Sequence, residues 1–200
     1  MPPTQKKRPA KKAASAKVAA TATQRRGGRR VIYSVAMSLD GYIAGPNGEY
    51  DWIVMDPDID FNEIGSQFDT LLIGRRTFAP MASAGQGGGG WPGMKSVVFS
   101  KTLKQSDYPG VTLVSGDAAA AVNELKSQPG KDIWLFGGGE LFRTLLDAGV
   151  VDSVSVAVIP VVLGGGVPFL PSPAKQRKLK LVTHRVYPKT GTLSLEYDVV

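Results

Sequence analysis

The chain has 200 residues, enough for one domain with a substantial hydrophobic core, and it contains no apolar run long enough to span a membrane. It has no cysteine and one histidine, His184, so disulfides and thiolate chemistry are excluded, and imidazole metal sites and Ser–His triads are disfavoured. The net charge of +7 is uneven, because residues 1–30 carry ten Lys or Arg and no acid, whereas residues 31–200 carry 14 basic and 17 acidic side chains. Chemistry in this chain therefore depends on carboxylates, hydroxyls, cations and a bound cofactor, without a metal.

Residues 1–30 are interpreted as a basic disordered tail. They contain almost no large apolar side chain, so they cannot bury enough surface to fold, and they lack the apolar segment of a secretory signal. A solvated extension is the first hypothesis for this tail. A weak electrostatic contact with nucleic acid or another polyanion is the second, and an organelle transit peptide is the third. The folded domain is expected to span residues 31–200.

Five short apolar segments alternate with helix-like segments along the first part of the domain. Such segments are typical of strands buried on both faces of a parallel sheet. They are residues 31–37, 70–73, 96–99, 111–114 and 133–136. Helices are predicted over 118–127, with Asp117 as the N-cap, and over 138–147. The glycine-rich residues 85–91 are expected to form a flexible surface connection.

The last part of the chain has a different pattern. Residues 153–163, 179–187 and 192–200 are strand-like with no long helix between them, and residues 192–200 alternate between apolar and polar side chains. Residues 188–191, "PKTG", favour a turn between the last two strands. We therefore predict an α/β sandwich with a mixed, mostly parallel central sheet, antiparallel C-terminal strands and flanking helices.

Three consecutive glycines, 137–139, stand between a predicted strand and a predicted helix. Side chains at these positions would keep a ligand away from the backbone, and free N–H groups at a helix N-terminus bind phosphate oxygens well. The pattern is neither G-x-G-x-x-G nor a P-loop. Taken alone, it fits a phosphate site or a tight structural turn equally well.

Two further strand ends carry groups suited to phosphate. Arg75, Arg76 and Thr77 follow the strand 70–73 and a glycine, and Ser100 and Lys101 follow the strand 96–99. Any one of these sets could be exposed cations at a loop. Three sets together favour a long ligand with several phosphates.

The chain also resembles a known family over residues 31–199. The stretches that carry the resemblance are "SVAMSLDGYIAGPNGEYDW", "LLIGRRTF", "VVFSKTL", "IWLFGGGELFRTLL" and "VIPVVLGGGVPFL", in this order and spacing. They are similar to the dihydrofolate reductase superfamily, and most of all to its branch related to the C-terminal reductase domain of the riboflavin-pathway enzyme RibD. The resemblance implies a dihydrofolate-reductase-like sandwich with NADPH across the carboxyl ends of the strands.

The resemblance implies a set of cofactor contacts. By position, Arg75, Arg76 and Thr77 match the family's contacts to the adenosine phosphate and the pyrophosphate. Ser100 and Lys101 match the neighbourhood of the 2′-phosphate. NADPH is therefore the implied cofactor.

Further implied contacts lie at the glycine turn and in one loop. Gly137, Gly138 and Gly139 match the family's double-glycine turn, which carries a cis Gly–Gly bond, and Glu140 and Leu141 open the following helix. The stretch "DGYIAGPNG" resembles the mobile loop over the nicotinamide. Ile43 and Ala44 are therefore implied to lie near the nicotinamide ring.

The position of the catalytic acid is ambiguous. Counting back from "GRRT" places the family's catalytic carboxylate at Asp58, which we choose, whereas counting forward from Trp52 gives a position near residue 57. Asp56 and Asp60 compete with Asp58, and one of the three is expected to cap a helix. A half-buried carboxyl with a raised pKa would suit proton transfer near neutral pH. The threonine that supports pterin binding in folate reductases aligns with about Ala157.

The function that we predict is a cytoplasmic, homodimeric, NADPH-dependent reductase. It would transfer hydride to a C=N or C=O bond of a heterocyclic, pterin- or pyrimidine-like, or sugar-derived small molecule. The bifunctional riboflavin enzyme is excluded, because its deaminase domain needs cysteine zinc ligands. The alternatives are a non-catalytic nucleotide-binding protein with a polyanion-binding tail, or a true dihydrofolate reductase.

Overall fold

A mixed sheet forms the centre of the protein in a computed structural model that describes residues 28–83 and 93–200. The strands are β1 (Val31–Ser38), β2 (Tyr42–Ala44), β3 (Phe68–Gly74), β4 (Lys95–Phe99), β5 (Thr112–Val114), β6 (Asp132–Gly137), β7 (Ser153–Ile159), β8 (Val167–Pro168), β9 (Leu179–Tyr187) and β10 (Thr192–Val199). The helices are α1 (Phe61–Ser66), α2 (Arg75–Ser83), α3 (Ala118–Ser127) and α4 (Gly139–Asp147), with a 3₁₀ turn at Gln105–Asp107. None of the helices in these two ranges has the length and apolar character needed to cross a bilayer.

Eight of the strands form one sheet in the order β5-β4-β3-β6-β1-β7-β10-β9. Neighbouring strands from β5 to β7 are parallel, whereas β10 is antiparallel to both β7 and β9. Strands β2 and β8 pair with each other in a small second sheet. The predicted fold class is therefore confirmed.

Most of the predicted elements are found within one or two residues of their predicted bounds. Helix α3 spans the predicted residues, and its N-cap is Asp117, whose side chain accepts from two backbone N–H groups. The predicted strand 153–163 is shorter, because β7 ends at Ile159. Strands β2 and β8 and helix α1 have no counterpart in the prediction. The predicted connection at 85–91 lies outside the described residues, as does the predicted tail up to residue 27.

The core has two halves, one on each face of the sheet. We call one face the α4 face, where α3 and α4 cover Val31, Tyr33 and Leu135. The other is the Trp134 face, where Trp134 packs with side chains from α1 and α2. On the α4 face, the ring of Tyr33 stacks on Phe142 with centroids 3.9 Å apart. Because side chains alternate along a strand, the residue pattern of each strand decides which half it fills.

Two residues assigned to the tail, Arg29 and Arg30, contact the sheet. Arg29 is only 7% exposed, and its guanidinium contacts the carboxylate of Asp69 and the hydroxyl of Thr70. The Nε of Arg29 also donates to the carbonyl of Lys131 over 2.6 Å. The backbone N–H of Arg30 donates to Asp132. Both cations therefore contact the amino-terminal edge of the sheet, and a domain boundary after residue 30 stays a prediction.

We predict that two truncations of the tail differ sharply in stability. A chain that begins at residue 28 should unfold at the same temperature as the full chain, because residues 1–27 lack the apolar side chains to pack on the domain. A chain that begins at residue 31 should lose about 2–4 kcal/mol of unfolding free energy, because the Arg29 guanidinium no longer pairs with Asp69 or donates to the hydroxyl of Thr70. Thermal unfolding monitored by circular dichroism measures the difference. Equal melting temperatures for the two truncations would contradict the role given to Arg29.

Candidate active site

Three strand ends that carry phosphate-suited groups lie side by side. Strands β4, β3 and β6 are parallel neighbours, so their carboxyl ends meet at one edge of the sheet. Ser100 follows β4, Arg75 follows β3, and Gly138 follows β6. In open α/β sheets this edge is where ligands bind. The structure thus brings together the three junctions that the sequence pointed to separately.

The strands β3 and β6 end side by side at two glycines, Gly74 and Gly137. A Cβ on Gly74 would lie 3.5 Å from the carbonyl oxygen of Gly137 and from the nitrogen of Gly138. A Cβ on Gly138 would lie 3.1 Å from Oγ1 of Thr77, in the first turn of α2. Gly137 has a φ of +149°, which side chains rarely permit, and the Gly137–Gly138 peptide bond is cis, as the resemblance implies. The first turn of α2 therefore rests directly against the turn that opens α4.

At the start of α4, some of the predicted cofactor contacts are exposed and others are buried. Gly138 is the N-cap and provides no side-chain cap, so this helix end has only backbone groups to offer a ligand. Gly139 is buried where a Cβ would meet the carbonyl of Pro168 at 2.6 Å, so it serves the packing of α4. Leu141 lies in the core, and its N–H donates to the carbonyl of Gly138. Glu140 is exposed and pairs with an arginine one turn along α4.

The cations at this edge have no ion-pair partner among the described residues. The side chains of Arg75, Arg76 and Lys101 are exposed, and within residues 28–83 and 93–200 none of them forms an ion pair or a side-chain hydrogen bond. Ser100 differs, because it is buried and its Oγ accepts from the N–H groups of the two residues that follow Lys101, over 3.2 and 3.0 Å. Ser100 therefore shapes the turn that presents Lys101. A cluster of unpaired cations beside a bare helix end favours a polyanionic ligand.

Next to this edge, the Trp134 face has a floor of small side chains. Ser34 and Ala36 on β1 are in register with Ser155 and Ala157 on β7, and all four are partly exposed. The indole Nε1 of Trp134 donates to the carbonyl of Ser34 over 3.0 Å. Small side chains on neighbouring strands therefore share this part of the face. Sequence reasoning missed this floor, because the alternation of each strand is visible in the sequence but their register is not.

The loop that contains Ile43 and Ala44 is fixed to a second loop. Both residues belong to β2, which pairs with β8. Asp40 accepts the hydroxyl proton of Ser38 over 2.6 Å and the N–H groups of Leu163 and Gly164 over 3.1 and 2.7 Å. The bond from Ser38, with those from the two N–H groups, holds the pKa of Asp40 below its usual value. The loop predicted to cover the nicotinamide is therefore tied to residues 161–168 by a charged anchor.

The three competing carboxylates have different surroundings. Asp60 is the N-cap of α1 and accepts from two backbone N–H groups, which confirms that one of the three caps a helix. Asp56 is only 2% exposed and accepts from the N–H of Asp58 and from the hydroxyl of Thr190, both over 2.9 Å. Asp58 is exposed and pairs with Lys189 at 2.8 Å. The half-buried position expected for Asp58 is therefore wrong, because the chain turns Asp56 inward instead.

Burial, hydrogen bonds and nearby charges shift the pKa values of Asp56 and Lys189. Burial raises the pKa of Asp56, but the hydrogen bonds from Asp58 and Thr190 and the charge of Lys189 outweigh burial, so the pKa lies below its ordinary value. The hydrogen bond and the charge of Asp58 raise the pKa of Lys189. Asp56 is thus suited to hold the β9–β10 turn, through Thr190, rather than to donate a proton at neutral pH.

Comparison with known proteins agrees with this geometry. The sequence model of the RibD C-terminal domain family matches residues 29–193. The chain belongs to this family, which is a branch of the dihydrofolate reductase superfamily. It is 36% identical over 183 residues to the "Uncharacterized protein YyaP" of Bacillus subtilis (strain 168). The alignment covers 84% of this chain and 94% of that protein.

Solved structures extend the comparison to the fold. A proposed riboflavin biosynthesis protein from Shewanella sp. PV-4 superposes with a TM-score of 0.72 at 25% identity, over 86% of this chain and 99% of the other. Dihydrofolate reductase from Enterococcus faecalis, in a complex with NADP(H), superposes with a TM-score of 0.63 at 17% identity, over 85% and 96% of the two chains. The second likeness establishes the shared fold alone.

We predict that Gly139→Ala destabilises the protein, whereas Gly116→Ala does not. A Cβ at residue 139 would overlap the carbonyl of Pro168, so α4 or β8 has to move, at a cost of about 1–3 kcal/mol. A Cβ at residue 116 meets no atom within 4 Å, and this glycine has no positive φ. Chemical denaturation of both variants measures the difference. Equal stabilities would contradict the close packing of α4 on residues 168–171.

Proposed function

We propose that this protein is an NADPH-dependent reductase that transfers hydride to a C=N or C=O bond of a heterocyclic, pterin- or pyrimidine-like, or sugar-derived small molecule. The observation that carries the proposal is the edge formed by β4, β3 and β6, where unpaired cations lie beside a glycine-lined helix end. We also propose that the protein lies in the cytoplasm and forms a homodimer. Membership of the family supports the reductase class.

The residues at the edge fit a dinucleotide with several phosphates. Gly138 leaves backbone open where a Cβ would press on Thr77, and the neighbouring helix end favours negative charge. Arg75 and Arg76 would hold phosphate oxygens, and Lys101 would face the 2′-phosphate. When bound, the cofactor supplies the hydride.

The substrate would lie on the Trp134 face, over the floor of small side chains. Ala36 and Ala157 leave room there for a flat ring, and Phe136, whose ring meets Trp134 edge-on at 5.6 Å, offers an aromatic wall. Ile43 and Ala44, in the loop anchored by Asp40, would exclude water from the reacting atoms. The alanine at 157 provides no hydroxyl for a pterin, which favours a substrate other than dihydrofolate.

A non-catalytic nucleotide-binding protein is the main rival from another class. It would use the same phosphate edge and would need no floor beside it. Steady-state oxidation of NADPH with a panel of pterins, pyrimidines and sugar-derived heterocycles separates the two. Tight NADPH binding with no turnover on any member of the panel would favour the rival.

We predict that the protein prefers NADPH to NADH and that Arg76→Ala removes much of this preference. Loss of a charge-assisted contact to phosphate should weaken NADPH binding by about 10- to 100-fold. The control is Lys95→Ala, because Lys95 is an exposed cation at the amino end of β4, on the opposite edge of the sheet. Calorimetric titration with both cofactors measures the effect. Equal affinities of the wild type for NADPH and NADH would contradict the proposal.

We predict that Asp58→Asn lowers turnover by about 10²–10⁴-fold at neutral pH without changing NADPH affinity. Hydride transfer to a C=N bond leaves negative charge on nitrogen, which needs a proton source. Of the three carboxylates, Asp58 has only one hydrogen-bond partner among the described residues, the ammonium of Lys189, whereas Asp56 and Asp60 are occupied by backbone N–H groups.

Asp60→Asn is the matched control, because asparagine also caps a helix and should keep turnover close to that of the wild type. Full turnover of Asp58→Asn together with loss in Asp56→Asn would assign the acid to Asp56. Full turnover of all three variants would show that no carboxylate of this segment provides the proton.

A further inference from the structure

A row of polar side chains crosses four neighbouring strands on the Trp134 face. Ser34 on β1 is in register with Ser155 on β7. Glu196 on β10 is in register with Ser155 on one side and with Thr183 on β9 on the other. Because directly paired side chains lie on the same face of a sheet, all four share the face of the small-residue floor. We call these four side chains the polar row.

The side chains of the polar row have no hydrogen-bond or ion-pair partner among the described residues. All of them are at least partly exposed. Asp198, two residues along β10 on the same face, shows the contrast. Its carboxylate accepts from the hydroxyl of Ser153 over 2.8 Å and pairs with Arg30 at 3.0 Å. The polar row therefore keeps its donors and acceptors available to a ligand, whereas the next carboxylate is already occupied.

The length of the polar row and the types of its groups restrict the ligand. The carboxylate of Glu196 only accepts hydrogen bonds, whereas serine hydroxyls both donate and accept. Ser34 and Glu196 are separated by two strand spacings, about 9–10 Å, so one small group cannot contact both. A chain with several hydroxyl groups can donate to the carboxylate and exchange hydrogen bonds with the serines. An anionic group is disfavoured here, because the carboxylate repels it.

An acidic group would find a partner in a different direction. Ala157 of the floor is in register with Ser194, and Ser194 is in register with Arg185 on the outermost strand. The guanidinium of Arg185 lies over the ring of Tyr187, 4.7 Å from its centroid, which fixes its position by a cation–π contact. Arg185 is two strand spacings from Ala157, whereas the polar row begins on the same two strands as the floor. The polar row is therefore the nearer continuation of the floor.

We infer that the polar row binds a hydroxyl-rich arm of the substrate, so that the substrate class is a flat heterocycle with a neutral polyol substituent. The inference rests on the proposed function, in which the ring lies over Ala36 and Ala157. Ser34 and Ser155 are two residues from these alanines along the strands, about 6–7 Å, so an arm attached to the ring reaches the row directly. Glu196 is a specificity-determining residue in this arrangement and takes no part in hydride transfer.

Calorimetric titration of the full chain with two matched pairs of probes tests the inference. One pair is pterin and neopterin, and the other is 1-methyluracil and uridine. Each pair has one ring type, with and without a hydroxyl-rich arm. The titrations are made with and without saturating NADP⁺. The arm-bearing member should bind at least about 10-fold more tightly than its partner, because hydrogen bonds to a carboxylate are strong.

Glu196→Gln should weaken binding of the arm-bearing probes by about 10-fold and leave the bare rings unchanged, because it removes the charge and keeps the shape. Ser155→Ala should weaken the same probes by a smaller factor. The matched control is Glu124→Gln on α3, an exposed residue of a helix that covers the opposite face of the sheet. It removes the same charge and should change neither class of probe. Thermal unfolding checks that all three variants fold.

Equal affinity of the wild type for the two members of both pairs would overturn the inference. An arm-bearing probe whose affinity falls in Arg185→Ala but not in Glu196→Gln would also overturn it, because the arm would then cross the sheet toward Arg185. Failure of all four probes to bind would overturn it as well. Titration with NADPH alone and its oxidation with a bare ring report separately on the proposed reductase, so the two failures are distinguishable.

Discussion

The arrangement of the candidate active site depends on the close contact between the carboxyl ends of β3 and β6. A Cβ on Gly138 would press on Oγ1 of Thr77, and the backbone at Gly137 has a φ of +149°, so glycine at both positions suits the turn that follows β6. Because the two strands end together, α2 and α4 begin side by side. Their N-terminal groups and the arginines of α2 then face one edge. A side chain at residue 138 would push against the first turn of α2 at this edge.

The two ends of the parallel strands differ in how their charged side chains are paired. The amino edge is closed by ion pairs, in which Arg29 contacts Asp69 and Arg30 pairs with Asp198 at 3.0 Å. The carboxyl edge keeps its cations free of such partners within the described residues. Burial of the Arg29 guanidinium favours a permanent structural role, because a buried charge is costly unless it is paired. Exposed, unpaired Arg75 and Arg76 are suited to exchange water for a ligand.

The sequence allowed prediction of the features whose residues are close together in the chain. Strand, glycine and cation succeed one another within a few residues at 70–77, and the alternation of β10 is visible within its own eight residues. Features that depend on distant pairs were out of reach. Asp56 is buried because Thr190, 134 positions later, donates to it. The small-residue floor exists because Ala36 is in register with Ala157.

Short elements were missed for a different reason. β8 has two residues and β2 has three, which is too short for an alternating pattern to stand out in the sequence. The contacts of Arg29 could not be predicted because Arg29 resembles the basic residues before it. Only its partners, Asp69 and Thr70, distinguish it from them, and nothing in the local sequence indicates those contacts.

A crystal structure of the protein with NADP⁺ would show whether the edge formed by β4, β3 and β6 binds the cofactor. The pyrophosphate should lie against the backbone at Gly138 and the first turn of α2, the 2′-phosphate near Lys101, and the nicotinamide toward the floor formed by Ala36 and Ala157. A dinucleotide bound at any other surface would contradict the claim, as would an edge that stays free of nucleotide at saturating NADP⁺.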